Sequence, residues 1–140
     1  NINNSLISSS TNSGIAGSIA IQGNLSSPST IALNQGTIAA AAKQPKGQAG
    51  GIFINATNLL VDNSSQISAS NISGQIGGDI VLQTAKTLVS GGSSIGATTD
   101  AGLAGSVTIR TQDFRVQDGG QVSVSSRSGG TGTAGNLTIA

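Results

Sequence analysis

Gly102-Leu103-Ala104-Gly105-Ser106-Val107-Thr108-Ile109 joins a G-x-A-G tetrad to a short run in which apolar and polar residues alternate. The same join recurs along the chain. The tetrad reads Gly14-Ile15-Ala16-Gly17, Gly47-Gln48-Ala49-Gly50 and Gly132-Thr133-Ala134-Gly135, with a degenerate copy at Gln75-Ile76-Gly77-Gly78. Its final glycines stand at Gly17, Gly50, Gly78, Gly105 and Gly135, spaced 33, 28, 27 and 30 residues apart. A phase kept through four intervals is the signature of a repeat architecture, and these five glycines are its expected structural turn positions.

Each repeat holds three alternating segments. The first carries Ile19/Ile21, Ile52/Ile54, Ile80/Leu82, Val107/Ile109 and Leu137/Ile139. The second carries Ile31/Leu33, Leu59/Val61, Thr87/Val89 and Phe114/Val116. The third carries Ile7/Ser9, Ile38/Ala40, Ile67/Ala69, Ile95/Ala97 and Val122/Val124. Period-two alternation between Gly, Asn, Ser and Asp turns marks strands, whereas helical spacing at three and four is nowhere sustained. A strand this short cannot bury its apolar side alone. Stacked coils can, because equivalent residues then align about 4.8 Å apart as parallel strands. The expected fold is therefore all-β: a right-handed parallel β-helix of roughly four to five coils, three short strands to a coil and 27–33 residues per coil. An antiparallel sandwich or barrel would not keep one side-chain phase through a 28-residue rhythm. Residues 52–54, 80–82 and 107–109 should pair in parallel and in register, since a one-residue slip would turn every inward side chain outward.

Composition narrows the function classes. Only 8% of residues are charged, the formal net charge is +1, and there is no Cys, His, Met, Trp or Tyr. Such a charge-poor chain has no attraction for phosphates, so no nucleic-acid partner is expected. No apolar run approaches the length of a membrane span. Residues 1–140 read as one β-helix segment with coil boundaries near 17, 50, 78, 105 and 135. The pattern is already running at Asn1-Ile2-Asn3-Asn4 and stops partway at Asn136 to Ala140, so an uncapped fragment of a longer array is expected. Its expected partners are neighbouring coils, or further copies added end to end through open strand edges.

The blocks Ala104-Gly-Ser-Val-Thr-Ile-Arg-Thr111, Phe114-Arg-Val-Gln-Asp-Gly-Gly-Gln-Val-Ser-Val124 and Ala134-Gly-Asn-Leu-Thr-Ile139 resemble the filamentous-haemagglutinin-like repeats of large bacterial exoproteins exported by two-partner secretion. Val61-Asp-Asn-Ser-Ser-Gln-Ile-Ser-Ala-Ser70 is similar to the DGSQISAS portion of that unit, and the likeness runs from about Leu6 to the end. It implies an extracellular or bacterial cell-surface location and a structural shaft or passenger segment of an adhesin or filament. Coil one departs from the pattern, with extra residues around Leu25-Ser-Ser-Pro-Ser29 and a Lys43-Gln-Pro-Lys46 turn.

Other functions make specific demands on the sequence. A pectate-lyase-like polysaccharide-degrading enzyme would need carboxylates, or Asp with Arg or Lys, converging from adjacent coils. In the aligned ladders Asp113 lies beside Lys86 and Asn58, Asp79 beside Gly51 and Ser106, and Asp62 beside Ser90 and Gln117; no two Asp are neighbours. The reading is therefore non-catalytic, with Lys86–Asp113 an exposed ion pair. A calcium site of the GGxGxDxUx type would need an Asp where Gly129-Gly-Thr-Gly-Thr-Ala134 ends in Ala134. Neither a metal nor a cofactor is expected. An ice-binding face is argued against by the irregular outward row Ala20, Phe53, Val81, Thr108, Thr138. The remaining alternative to a shaft is a β-helix surface that binds glycans or extracellular matrix. Phe53 is its first candidate contact, an aromatic pointing outward between inward Ile52 and Ile54. Lys43 and Lys46 in the irregular loop are the others.

Overall fold

The computed structural model describes residues 1–24, 27–72, 76–127 and 129–140. They form an all-β parallel solenoid of about five turns, with no helix among the described residues. Every strand pairing is parallel. One sheet contains eight strands and the other five.

The expected registers hold throughout. Ile52 faces Ile80 and Ile80 faces Val107, while Ile54 faces Leu82 and Leu82 faces Ile109. In the second sheet Ile38, Ile67, Ile95 and Val122 stand in one ladder, and Ala40, Ala69, Ala97 and Val124 in the next. Every Ile in the 38–67–95 stretch has no exposed surface, and the flanking Ala40, Ala69 and Ala97 are equally buried. Burying each Ile, Leu or Val contributes about 1.5–3 kcal/mol relative to exposure, before ordering entropy is charged against it. The large residues come mostly from the first sheet and the Ala ladder from the second. Both walls meet in one core cluster, in which Ile38, Ile67 and Ile95 of the second sheet join the large residues of the first.

Two local features differ from the sequence reading. Coils are not uniformly three-stranded: the first and second segments run on as single strands at Ile52–Asp62 and Ile80–Val89. They separate in the flanking coils, where Ile19–Gln22 and Thr30–Asn34 both pair with Ile52–Asp62, and Val107–Arg110 and Asp113–Val116 both pair with Ile80–Val89. The link is longer only between Ile19–Gln22 and Thr30–Asn34; Thr111 and Gln112 span the same two positions as Ala56 and Thr57, yet the strand breaks there.

The second difference is at Lys43–Lys46, which is not a turn. The strand Thr37–Gln48 runs straight through it and pairs with Leu6–Ile15. Thr11 faces Ala42, yet Ser13 faces Lys46, so the extra residues are absorbed as a β-bulge. The Thr11 hydroxyl braces the other side of that bulge, accepting from the Ser13 amide at 3.2 Å. Of the other irregular positions, Leu25, Ser26 and Gln75 lie outside the described residues.

Candidate functional site

The outer face of the larger sheet carries two parallel rows of side chains. Ala20, Phe53, Val81, Thr108 and Thr138 make the first, in the order expected. Gln22, Asn55, Gln83 and Arg110 make the second, two positions along each strand. Alternation sends both rows outward because Ile52, Ile54 and Ala56 take the inward places between them.

Phe53 is 45% exposed. Its ring leans back over Gly51, close enough that a methyl group there would lie 2.9 Å from a ring carbon. The missing side chain at Gly51 is therefore what lets the ring lie down along the sheet. Beside it is a groove of about 220 Å³ lined by Ala20, Ile21, Gln22, Phe53, Ile54, Asn55, Val81 and Gln83. Asn55 and Gln83 also border a larger cleft, about 460 Å³, whose other wall includes Asn24, Ser27, Pro28, Ser29, Thr57 and Thr84. That wall is fastened by a reciprocal pair: the Ser29 amide donates to Thr57 Oγ1 at 3.0 Å, and the Thr57 amide donates to Ser29 Oγ at 3.2 Å. No charged residue lines either depression.

Lys43 and Lys46 are exposed, as expected, but they sit on the smaller sheet. The structure therefore does not gather them with Phe53 into one site. The amide row and the Ser29–Thr57 wall were not singled out from the sequence. Their signal was present, since positions 22, 55 and 83 follow from the same alternation that places Phe53 outward.

The acidic residues are distributed along the solenoid, each engaged near its own turn. Asp62 Oδ1 accepts from the Ser90 hydroxyl at 2.9 Å and Asp79 Oδ1 from the Ser106 amide at 2.7 Å. Asp118 accepts from the Gln117 side chain at 3.2 Å. Asp100 pairs with Arg127 and Asp113 with Arg115, both at 3.1 Å. The expected Lys86–Asp113 pair is thus replaced. The two residues do face each other across the ladder, but Arg115, two positions along the same strand face, donates to the carboxylate through its Nε. Both ion pairs are largely exposed and contribute at most about 1 kcal/mol each. No cluster of three metal-ligating side chains occurs among the described residues.

The repeat glycines act through space and not through backbone sign. Gly50, Gly78 and Gly105 stack so closely that a Cβ on each would collide with the carbonyl oxygen of the glycine one coil below: Gly17, Gly50 and Gly78. Gly135 meets Gly105 in the same way, whereas a Cβ on Gly17 would meet only the Ser9 hydroxyl, at 3.3 Å. No described helix is long and apolar enough to cross a membrane. No protein-family model, curated protein or solved structure matches the chain.

Proposed function

We infer that this chain is a non-catalytic shaft or passenger segment of a secreted, surface-displayed bacterial adhesin or filament, in keeping with its haemagglutinin-like repeat. The observation that carries the reading is axial continuity. The ladder from Ile52 through Ile80 and Val107 to Leu137 keeps one register, so each added coil lengthens the rod without changing its cross-section. The engagement of all five Asp carboxylates by neighbouring donors favours a load-carrying role over acid–base chemistry.

Removing residues 78–104 tests this. The excision joins Gly77 to Gly105, which already occupies the stacking position of Gly78. A shaft should refold, shorten by about 4.8 Å, and leave attachment by the whole protein intact. Intact source cells should also be labelled by an antibody raised to this chain. Loss of attachment despite normal display would transfer the binding role to this segment. Absence of surface label would remove the extracellular assignment.

A further inference from the structure

We propose that the groove beside Phe53, with the Gln22–Asn55–Gln83 amide row as its floor, is a binding site for a neutral oligosaccharide. The proposal goes beyond the shaft reading and is independent of it, since a rod can carry a lateral site or none.

The first argument is the state of the amides. Two amide side chains elsewhere on the solenoid are bonded to the coil below. Asn63 donates to Asn34 at 3.2 Å, and Asn58 donates to Thr30 at 3.2 Å. Gln22, Asn55 and Gln83 stand in equally good axial register, yet none of them makes a side-chain hydrogen bond to another described residue. An amide row that holds the coils together would be internally bonded. This one presents its donors and acceptors to the groove. Each primary amide offers two N–H donors and a carbonyl acceptor in one plane, a set that matches vicinal hydroxyls, which also donate and accept.

The second argument is the aromatic. Phe53 is one of two phenylalanines in a chain otherwise without aromatic residues, and its ring lies along the sheet next to the amide row. Sugar rings carry an apolar C–H face and a polar rim. An aromatic surface bordered by amides is complementary to both parts at once. Val81 extends the apolar strip one coil further, and the Ser29–Thr57 wall adds hydroxyls on the far side of the cleft. The third argument is charge: no ionised side chain lines the groove or the cleft, the nearest in the row being Arg110 one coil beyond Gln83, so a uronate or sulfate seated there would be desolvated without a partner in the lining. Three successive coils carry an amide at this position before Arg110 follows, so the site suits a short chain of sugar units better than a single one.

The test is a titration of the full chain, isotopically labelled, with neutral hexasaccharides of glucose, mannose, galactose and N-acetylglucosamine, and with oligogalacturonate as the charged comparator. The expected result is a saturable shift of the Gln22, Asn55 and Gln83 side-chain amide signals and of the Phe53 ring signals with at least one neutral oligomer. Phe53→Ala should weaken that binding by about tenfold or more, the scale of one well-placed aromatic contact. Phe53→Tyr should retain it. Phe53→Leu decides whether the ring merely covers Gly51: Leu keeps the cover but has no flat face, so wild-type affinity in that variant would overturn the proposal. Absence of any saturable shift with the neutral oligomers, or a response only to oligogalacturonate, would overturn it as well. The coil deletion also removes Val81 and Gln83 of the groove, so the titration of the undeleted chain is what separates the two. Loss of attachment on deletion with no saturable glycan shift would fail the shaft reading and this proposal alike, whereas a shift with attachment intact would leave both standing.

Discussion

The two glycine-rich corners of this solenoid look alike in sequence and are built on opposite grounds. At the G-x-A-G corner, Gly50, Gly78 and Gly105 have ordinary backbone angles. Glycine is required because the carbonyl of the coil below occupies the space a Cβ would take. At the other corner, between the two sheets, the backbone turns left-handed at Gln35, at Asn63 and Ser64, at Gly91 and Gly92, and at Asp118 and Gly119. Space there varies: a Cβ on Gly92 would meet nothing nearer than Ser64 Oγ, at 3.8 Å, whereas one on Gly91 would crowd the Asn63 amide nitrogen at 2.8 Å. The last glycine of the tetrad is therefore selected for volume, although the first is left-handed at Gly14 and Gly102. The other corner selects for backbone sign and tolerates Asn, Asp and even Gln and Ser at a cost in strain.

The left-handed corner compensates with a buried hydroxyl ladder. The Gly36 amide donates to Ser65 Oγ at 3.2 Å, the Ser65 amide donates to Ser93 Oγ at 3.0 Å, and both serines are essentially without solvent exposure. These bonds run from coil to coil, so the irregular turn is tied axially even where it does not stack as a regular strand.

The comparison can be broken at three points. Gly78→Ala should have the largest effect, destabilising the chain by about 3 kcal/mol or more, because backbone against backbone leaves no side chain to move aside. Urea unfolding measures it; a loss under about 1 kcal/mol would mean that the coils slide apart and that close stacking is not required. Ser93→Ala removes the acceptor of the buried Ser65 amide and should cost about 1–3 kcal/mol. Hydrogen exchange of that one amide sharpens the result, since its protection should fall more than that of neighbouring strand amides. Ser64→Gly is the smallest change and has the opposite sign. Relief of a φ of 60° on a non-glycine residue should raise stability by up to about 1 kcal/mol, offset in part by the greater freedom of the unfolded chain. A melting temperature that falls would show the Ser64 side chain to be worth more than its strain.

Much of the architecture was legible because it is periodic. Positions 52, 80 and 107 could be placed in one ladder from the chain alone, since a repeat of fixed phase leaves one register that buries every Ile. The outward direction of Phe53 followed from the same parity. Two things were not legible. The Lys43–Lys46 insertion reads as a turn by composition, yet pairing with Leu6–Ile15 holds it extended and converts the extra residues into a bulge. The carboxylate at Asp113 has Lys86 across the ladder and Arg115 along the strand, and only side-chain geometry chooses between them.

The glycines mark the same division most clearly. Their spacing, a local and countable property, was enough to specify a stacked parallel solenoid of all-β class. Whether a given glycine serves close approach or a left-handed turn depends on which atoms the next coil brings to it. That is set by contacts between residues some 28 positions apart, and so was decided only when the coils were stacked.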